Sequence, residues 1–151
     1  MKIQSLEESY ENVIEKGEVI PCLELDNEKI KSVIYNIEKD IISLSESEKQ
    51  ENVSYNIIFK NYYDVFHQLA ELFLQFDNKK AKYHNSLFAY LCYKYPELEF
   101  NWEFLERIRT IRNNSMYYFK NTDKEEWKSV ELQLKLYIKT LKDEIVKKSE
   151  N

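Results

Sequence analysis

The run Ser54-Tyr55-Asn56-Ile57-Ile58-Phe59-Lys60-Asn61-Tyr62-Tyr63-Asp64-Val65-Phe66-His67-Gln68-Leu69-Ala70-Glu71-Leu72-Phe73-Leu74-Gln75-Phe76 contains neither glycine nor proline. Ile58, Tyr62, Val65, Phe66, Leu69, Phe73 and Phe76 recur along it three and four residues apart. A helix turns by about 100° per residue, so this spacing gathers those side chains on one face. It predicts the long central helix of a bundle. The whole chain supports that reading, because Gly17, Pro21 and Pro96 are its only glycine and prolines in 151 residues. A sandwich or barrel needs turn residues about every eight to twelve positions, and a phosphate-cradling loop needs clustered glycines. The chain is therefore read as all-α, an up-and-down bundle of four to five helices with an extra N-terminal helix.

Working outward, Leu6, Tyr10, Val13 and Ile14 predict a first helix over about Gln4 to Glu15, closed by Gly17. An extended link with Pro21 leads to Asp26, a natural N-cap for a second helix carrying Ile30, Val33, Ile34, Ile37 and Ile41. Ser45 to Glu51 reads as a polar loop. Asp77 to Lys82 is a basic connector, followed by a short helix from His84 to Tyr95 that Pro96 stops. A fifth helix is expected from Asn101 to Asn113 or slightly beyond. Thr122 and Glu125 form a capping-box pattern ahead of a last helix with Trp127, Val130, Leu134, Tyr137, Ile138, Leu141 and Ile145 in register. Residues 1–25 are thus a helix and link, residues 26–147 the bundle, and 1–151 one domain.

The formal net charge is −5, with 13 acids and 6 bases in residues 1–51. Asn78 to Lys120 reverses the balance, with 8 bases and 4 acids, and is the stretch an anion would prefer. An overall acidic chain argues against DNA-specific binding. Cys22 and Cys92 make no CxxC pair, and no HExxH or paired-histidine spacing exists, so neither metal nor cofactor is expected. No apolar run approaches the ~20 residues of a membrane span, and a cytoplasmic location is expected.

The basic residues are 19 lysines and 3 arginines, and the arginines all fall between Arg107 and Arg112. On a helical projection Phe104, Leu105, Ile108, Ile111 and Ser115 share one arc, and Arg112 falls inside it. Arg107 and Arg109 lie on its borders, where long stems cover apolar surface with their heads in water. A guanidinium directed inward needs a carboxylate, an anion or a partner chain. A structural carboxylate is the ordinary answer. Asn113 and Asn114 favour ending the helix there, which would put Arg112 at a helix-to-loop junction beside polar donors. The rings of Tyr117, Tyr118 and Phe119 suit either packing or base stacking.

The segment Ile108-Arg109-Thr110-Ile111-Arg112-Asn113-Asn114-Ser115-Met116-Tyr117-Tyr118 resembles the signature of HEPN domains, nucleotide-associated helical bundles of prokaryotes whose motif is Arg, usually Asn, a few residues and His. Tyr62 to Glu71 is similar to the tyrosine-rich long helix of that family, and Lys82 to Leu91 to its following short helix. The resemblance covers about residues 54 to 141 and rests on the order of three short motifs. It implies a bundle that pairs as a homodimer, joining two arginine motifs in one cleft, which in active members is a metal-independent endoribonuclease site. There a base deprotonates the ribose 2′-hydroxyl, which attacks the adjacent phosphate, and a cation stabilises the charge. Arg112 and Asn113 match the motif.

Tyr117 stands where the motif histidine is expected. A phenol with pKa about 10 is ionised to about one part in a thousand at neutral pH, so it is a poor base. Loss of a general base costs on the order of a hundred- to ten-thousand-fold in rate. Phe119 stands where a tyrosine is modified in HEPN toxins paired with a minimal nucleotidyltransferase. The expected function is therefore binding of RNA, a nucleotide or a partner protein in a cleft centred on Arg112, with Asn113 and Tyr117 beside it and weak or absent nuclease activity. Arg109, Lys82, His84 and Tyr118 are the expected accessory contacts. The alternatives are an active endoribonuclease of a toxin–antitoxin or defence module, with a nucleotidyltransferase antitoxin as partner, and a non-catalytic protein-interaction module. His84 is expected to be either structural or part of an RNA site, and His67, opposite Leu69, a surface or secondary packing residue.

Overall fold

A computed structural model describes residues 3–23 and 26–150. Six helices make up most of it: α1 (Leu6–Glu15), α2 (Asn27–Glu48), α3 (Tyr55–Gln75), α4 (His84–Lys94), α5 (Trp102–Tyr117) and α6 (Lys124–Ser149). Short polar side chains start five of them. Ser5, Asp26, Ser54, Asn101 and Asp123 each accept the backbone N–H three residues on, satisfying a donor the first turn leaves free. The α6 cap is Asp123 rather than Thr122, whose buried side chain accepts no such bond.

The link around Pro21 and the basic connector are not merely irregular. Val19–Pro21 (β1) and Lys79–Ala81 (β2) pair antiparallel, with Val19 opposite Ala81 and Pro21 opposite Lys79. Gly17 makes the turn into β1 at φ 64, a left-handed conformation that glycine adopts without penalty. This two-stranded ribbon is the only sheet among the described residues.

α3 is the spine, packed against α6, α2, α4 and α5, while α1 lies on α4. Its expected apolar face is buried, with only Phe76 at the edge, and so is every residue expected on the core face of α6. Trp127 packs between α3 and α6, stacked on Tyr62 at 5.4 Å between ring centres. Burial of such side chains stabilises the fold by about 1.5–3 kcal/mol each. Two long-range polar contacts fix α5. Trp102 Nε1 donates to the Gln4 carbonyl at 2.8 Å, and the Asn56 side chain on α3 accepts from Ser115 Oγ and from the Thr122 N–H.

Two helices outlast their expected ends. α2 runs through the polar Ser45 to Glu48 because Glu48 accepts from Tyr62 Oη and Lys135 Nζ, tying it to α3 and α6. α5 runs through Asn113 and Asn114 to Tyr117. The Asn114 carbonyl then accepts the N–H groups of Tyr118 and Lys120, with Phe119 left-handed at φ 56.

Candidate functional site

α3, α4 and α5 bring together a cluster of titratable side chains, and its parts follow from helical spacing. Tyr63, His67 and Glu71 are four residues apart, so they form one stripe along α3. His84 opens α4 directly over that stripe. Its ring centre is 3.8 Å from that of His67, and its Nδ1 is 2.9 Å from Tyr63 Oη. Arg112 enters from α5, with its guanidinium 5.8 Å from the Tyr63 ring centre and Nη2 3.4 Å from Asp64 Oδ1.

Hydrogen-bond partners assign the protons. Tyr63 is fully buried and its hydroxyl has His84 Nδ1 as its one partner among the described residues. A buried hydroxyl proton needs an acceptor, so Tyr63 donates to Nδ1 and His84 carries its own proton on Nε2. His67 has the opposite tautomer. Its Nδ1 lies 3.1 Å from Glu71 Oε1 and donates to it, which leaves Nε2 unprotonated and without a described hydrogen-bond partner.

Electrostatics hold both rings neutral. Burial, then the adjacent His84 and Arg112, push the His67 pKa down to about 4. Burial and then Arg112 lower His84 as well, with Arg109 adding to the effect and Asp64 opposing it. The His67–Glu71 contact is accordingly a hydrogen bond of a neutral imidazole, not an ion pair. Burial raises Glu71, against the pull of Lys80, and raises Tyr63 out of any titrating range near neutrality.

Arg112 is short of acceptors. Its side chain is only 15% exposed, its Nε is buried with no hydrogen-bond partner, and the Asp64 contact is long and made to a half-exposed carboxylate. Arg109 contrasts with it. Its Nε is 2.5 Å from Glu106 Oε2, and Glu106, buried, also accepts from Asn85 Nδ2 at 2.8 Å. Arg107 reaches Ser129 Oγ at 2.6 Å. Of the three arginines, only Arg112 is both inward and incompletely paired.

Two open cavities are lined by residues of the same helices, and only the smaller takes in a member of the cluster, Asp64. One of about 810 Å³ is lined by Asn85, Arg109, Thr110 and Asn114 among others, and one of about 390 Å³ by Asp64, Asn61 and Gln68 with α2 residues. Arg112 itself lines neither of these two.

The structure thus gathers Arg112 and His84 and separates the other expected residues from them. Tyr117 lies five residues past Arg112, about 140° around the helix, and is 70% exposed. Tyr118 and Phe119 are equally open to solvent at the end of α5, and Lys82 is exposed just after β2. Asn113 is half-buried beside Arg112 in sequence and within the helix, so Arg112 is not at a helix-to-loop junction. The sequence reading missed Tyr63, Asp64, His67 and Glu71. The four-residue spacing of Tyr63, His67 and Glu71 is the signal that would have found those three; Asp64 has no such signal.

Among the described residues no group of three or more His, Cys, Asp or Glu side chains is arranged to hold a metal ion, and no helix is long and apolar enough to cross a membrane. Cys92 is buried, which pushes its thiol up to about 12. No family model, curated protein or solved structure matches the chain.

Proposed function

We propose that this helical bundle binds the phosphate groups of RNA or a nucleotide at Arg112, with the outward Nε2–H of His84 as a second donor. The observation that carries the reading is the incomplete pairing of Arg112. A mostly buried guanidinium with one long contact and an orphan Nε gains more from a bidentate oxyanion than a paired arginine would. His84 is exposed at the rim and neutral, so it adds a donor without a competing charge.

Binding of a labelled single-stranded RNA, followed by anisotropy, tests the reading. Arg112→Ala should weaken binding at least tenfold and reduce its salt dependence, because one phosphate contact and its released counterion are lost. Unchanged affinity in a folded Arg112→Ala variant would refute it. A second reading has a specific observation behind it. Asp64 and the Tyr63 ring together hold Arg112, which is what a structural arginine in a protein-interaction module would show. In that case Arg112→Ala lowers the melting temperature and leaves RNA and nucleotide binding as they were.

A further inference from the structure

We infer that the end of α5, from Met116 to Lys120, is a docking surface for an acidic segment of a partner protein, anchored by the rings of Tyr117, Tyr118 and Phe119. Arg112 takes no part in it, since Tyr117 is turned about 140° from Arg112 around the helix.

Met116, Tyr117, Tyr118 and Phe119 are 47%, 70%, 75% and 89% exposed, four apolar residues in succession. Ile57, at the start of α3, is exposed as well. Single exposed apolar side chains are ordinary, but a consecutive run of this size marks an interaction surface. Tyrosine and phenylalanine offer large contact area with only two side-chain torsions to freeze, and aromatic rings are enriched in protein interfaces.

The turn that displays the rings is held ready. The Asn56 side chain on α3 accepts from Ser115 Oγ at 2.9 Å and from the Thr122 N–H at 3.1 Å, so one residue clamps both sides of the turn. Inside that clamp the Asn114 carbonyl accepts the N–H groups of Tyr118 and Lys120, and Phe119 is left-handed at φ 56. A bulky side chain opposes this conformation, yet here the ring stands in solvent rather than packing on anything that would offset the strain. A segment already ordered loses little conformational freedom when a partner covers it.

Charge selects the partner. From Arg107 to Thr122 there are four bases and no acid. Arg107, Arg109 and Arg112 are turned to Ser129, Glu106 and Asp64. That leaves Lys120 within the turn and Lys60 one helical turn after Asn56, neither in an ion pair among the described residues. Asp123, the next acid along the chain, caps α6 with its side chain. Two free ammonium groups beside a run of rings suit a segment that carries a few carboxylates among apolar residues. A nucleic acid or an anionic membrane asks for cations along a whole track or face, and the chain as a whole, at net −5, repels both.

A display library of random dodecapeptides, selected on the full chain at low salt, provides the test, with single-stranded RNA and phosphatidylserine vesicles as the other probes. The wild type should enrich peptides that combine Asp or Glu with apolar residues. Measured singly by anisotropy, these should bind at least tenfold more weakly to a variant carrying Tyr117→Ser, Tyr118→Ser and Phe119→Ser that melts with the wild type. Lys120→Glu keeps the rings and tests the charge alone; it should weaken binding at least fivefold, a difference that closes at high salt. If the serine variant does not fold, Lys120→Glu decides. Arg112→Ala should bind the peptides as the wild type does, whatever its effect on RNA. Enrichment of nothing, or of peptides without an excess of acid, overturns the inference, as does undiminished binding by either tip variant. RNA or vesicle binding that the serine variant loses, with no peptide selected, assigns the rings to bases or to lipid and overturns it too.

Discussion

Acid should unfold this protein through His67 in a manner that a single substitution removes. The imidazole has a pKa of about 4 in the fold and about 6.5 in the unfolded chain, so between these values the unfolded chain holds the proton and the fold refuses it. A depressed folded pKa gives stability that is complete above about pH 6.5 and is lost as pH falls toward 4. Integrating the difference in bound protons from pH 7 to pH 5 gives about 2 kcal/mol for this one group. The side chain is 17% exposed, and screening at that edge reduces the figure to about 1 kcal/mol. His84 shifts in the same direction and adds to the loss. Urea unfolding at pH 7 and pH 5 measures it. Carboxylates elsewhere also respond to acid, so the quantity to compare is the pH-dependent loss of the wild type with that of His67→Gln. The glutamine amide keeps a donor for Glu71 and has no proton to take up. The wild type should lose about 1 kcal/mol more than the variant. Equal losses would show that His67 titrates normally, and the neutral histidine pair would then be wrong.

Three further outcomes are expected from thermal or urea melts. Leu134→Ala, at a fully buried position between α6 and α3, should cost about 3 kcal/mol, and a cost under about 1 kcal/mol would contradict the packing of those helices. Glu106→Ala leaves Arg109 and Asn85 facing a buried gap and should cost roughly 3 kcal/mol, with Glu106→Gln costing less because it keeps an acceptor. Phe119→Gly should stabilise by roughly 0.5–1 kcal/mol, since Phe119 is 89% exposed and left-handed at φ 56, a backbone state that a side chain opposes; destabilisation would mean that the ring packs on something.

The parts of the fold that follow from period alone were open to reading in the sequence. Trp127, Val130, Leu134, Tyr137, Ile138, Leu141 and Ile145 keep one face for five turns, and each of them is buried. Ends set by distant partners were not. Nothing local shows that Asn56, more than fifty residues before Ser115, will hold the last turns of α5, or that Glu48 will find Tyr62 and Lys135. The ribbon of Val19–Pro21 and Lys79–Ala81 pairs segments about sixty residues apart, each too short to carry an alternation of its own. The site divides in the same way. Arg112 was visible because its own helix places it inward. His67 was read as a surface or secondary packing residue because its angle to Leu69 points it away from the main core, and it is the docking of α4 over that side of α3 that sets its ring against His84.

The energetics of the cluster argue against an origin in packing alone. Two neutral imidazoles sit against a guanidinium that depresses them both, the guanidinium keeps a buried Nε without an acceptor, and its one carboxylate partner stays half in water. Each of these lowers stability where a leucine or a paired arginine would raise it. The surroundings are correspondingly over-determined. Tyr63, Phe66 and Phe88 are entirely buried, their rings contact one another or the histidines, and Glu106 locks Arg109 and Asn85 on the flank. A rigid frame around an under-satisfied cation and two oriented imidazoles is what a preorganised oxyanion site requires, because donors fixed in place need no reorganisation when charge arrives.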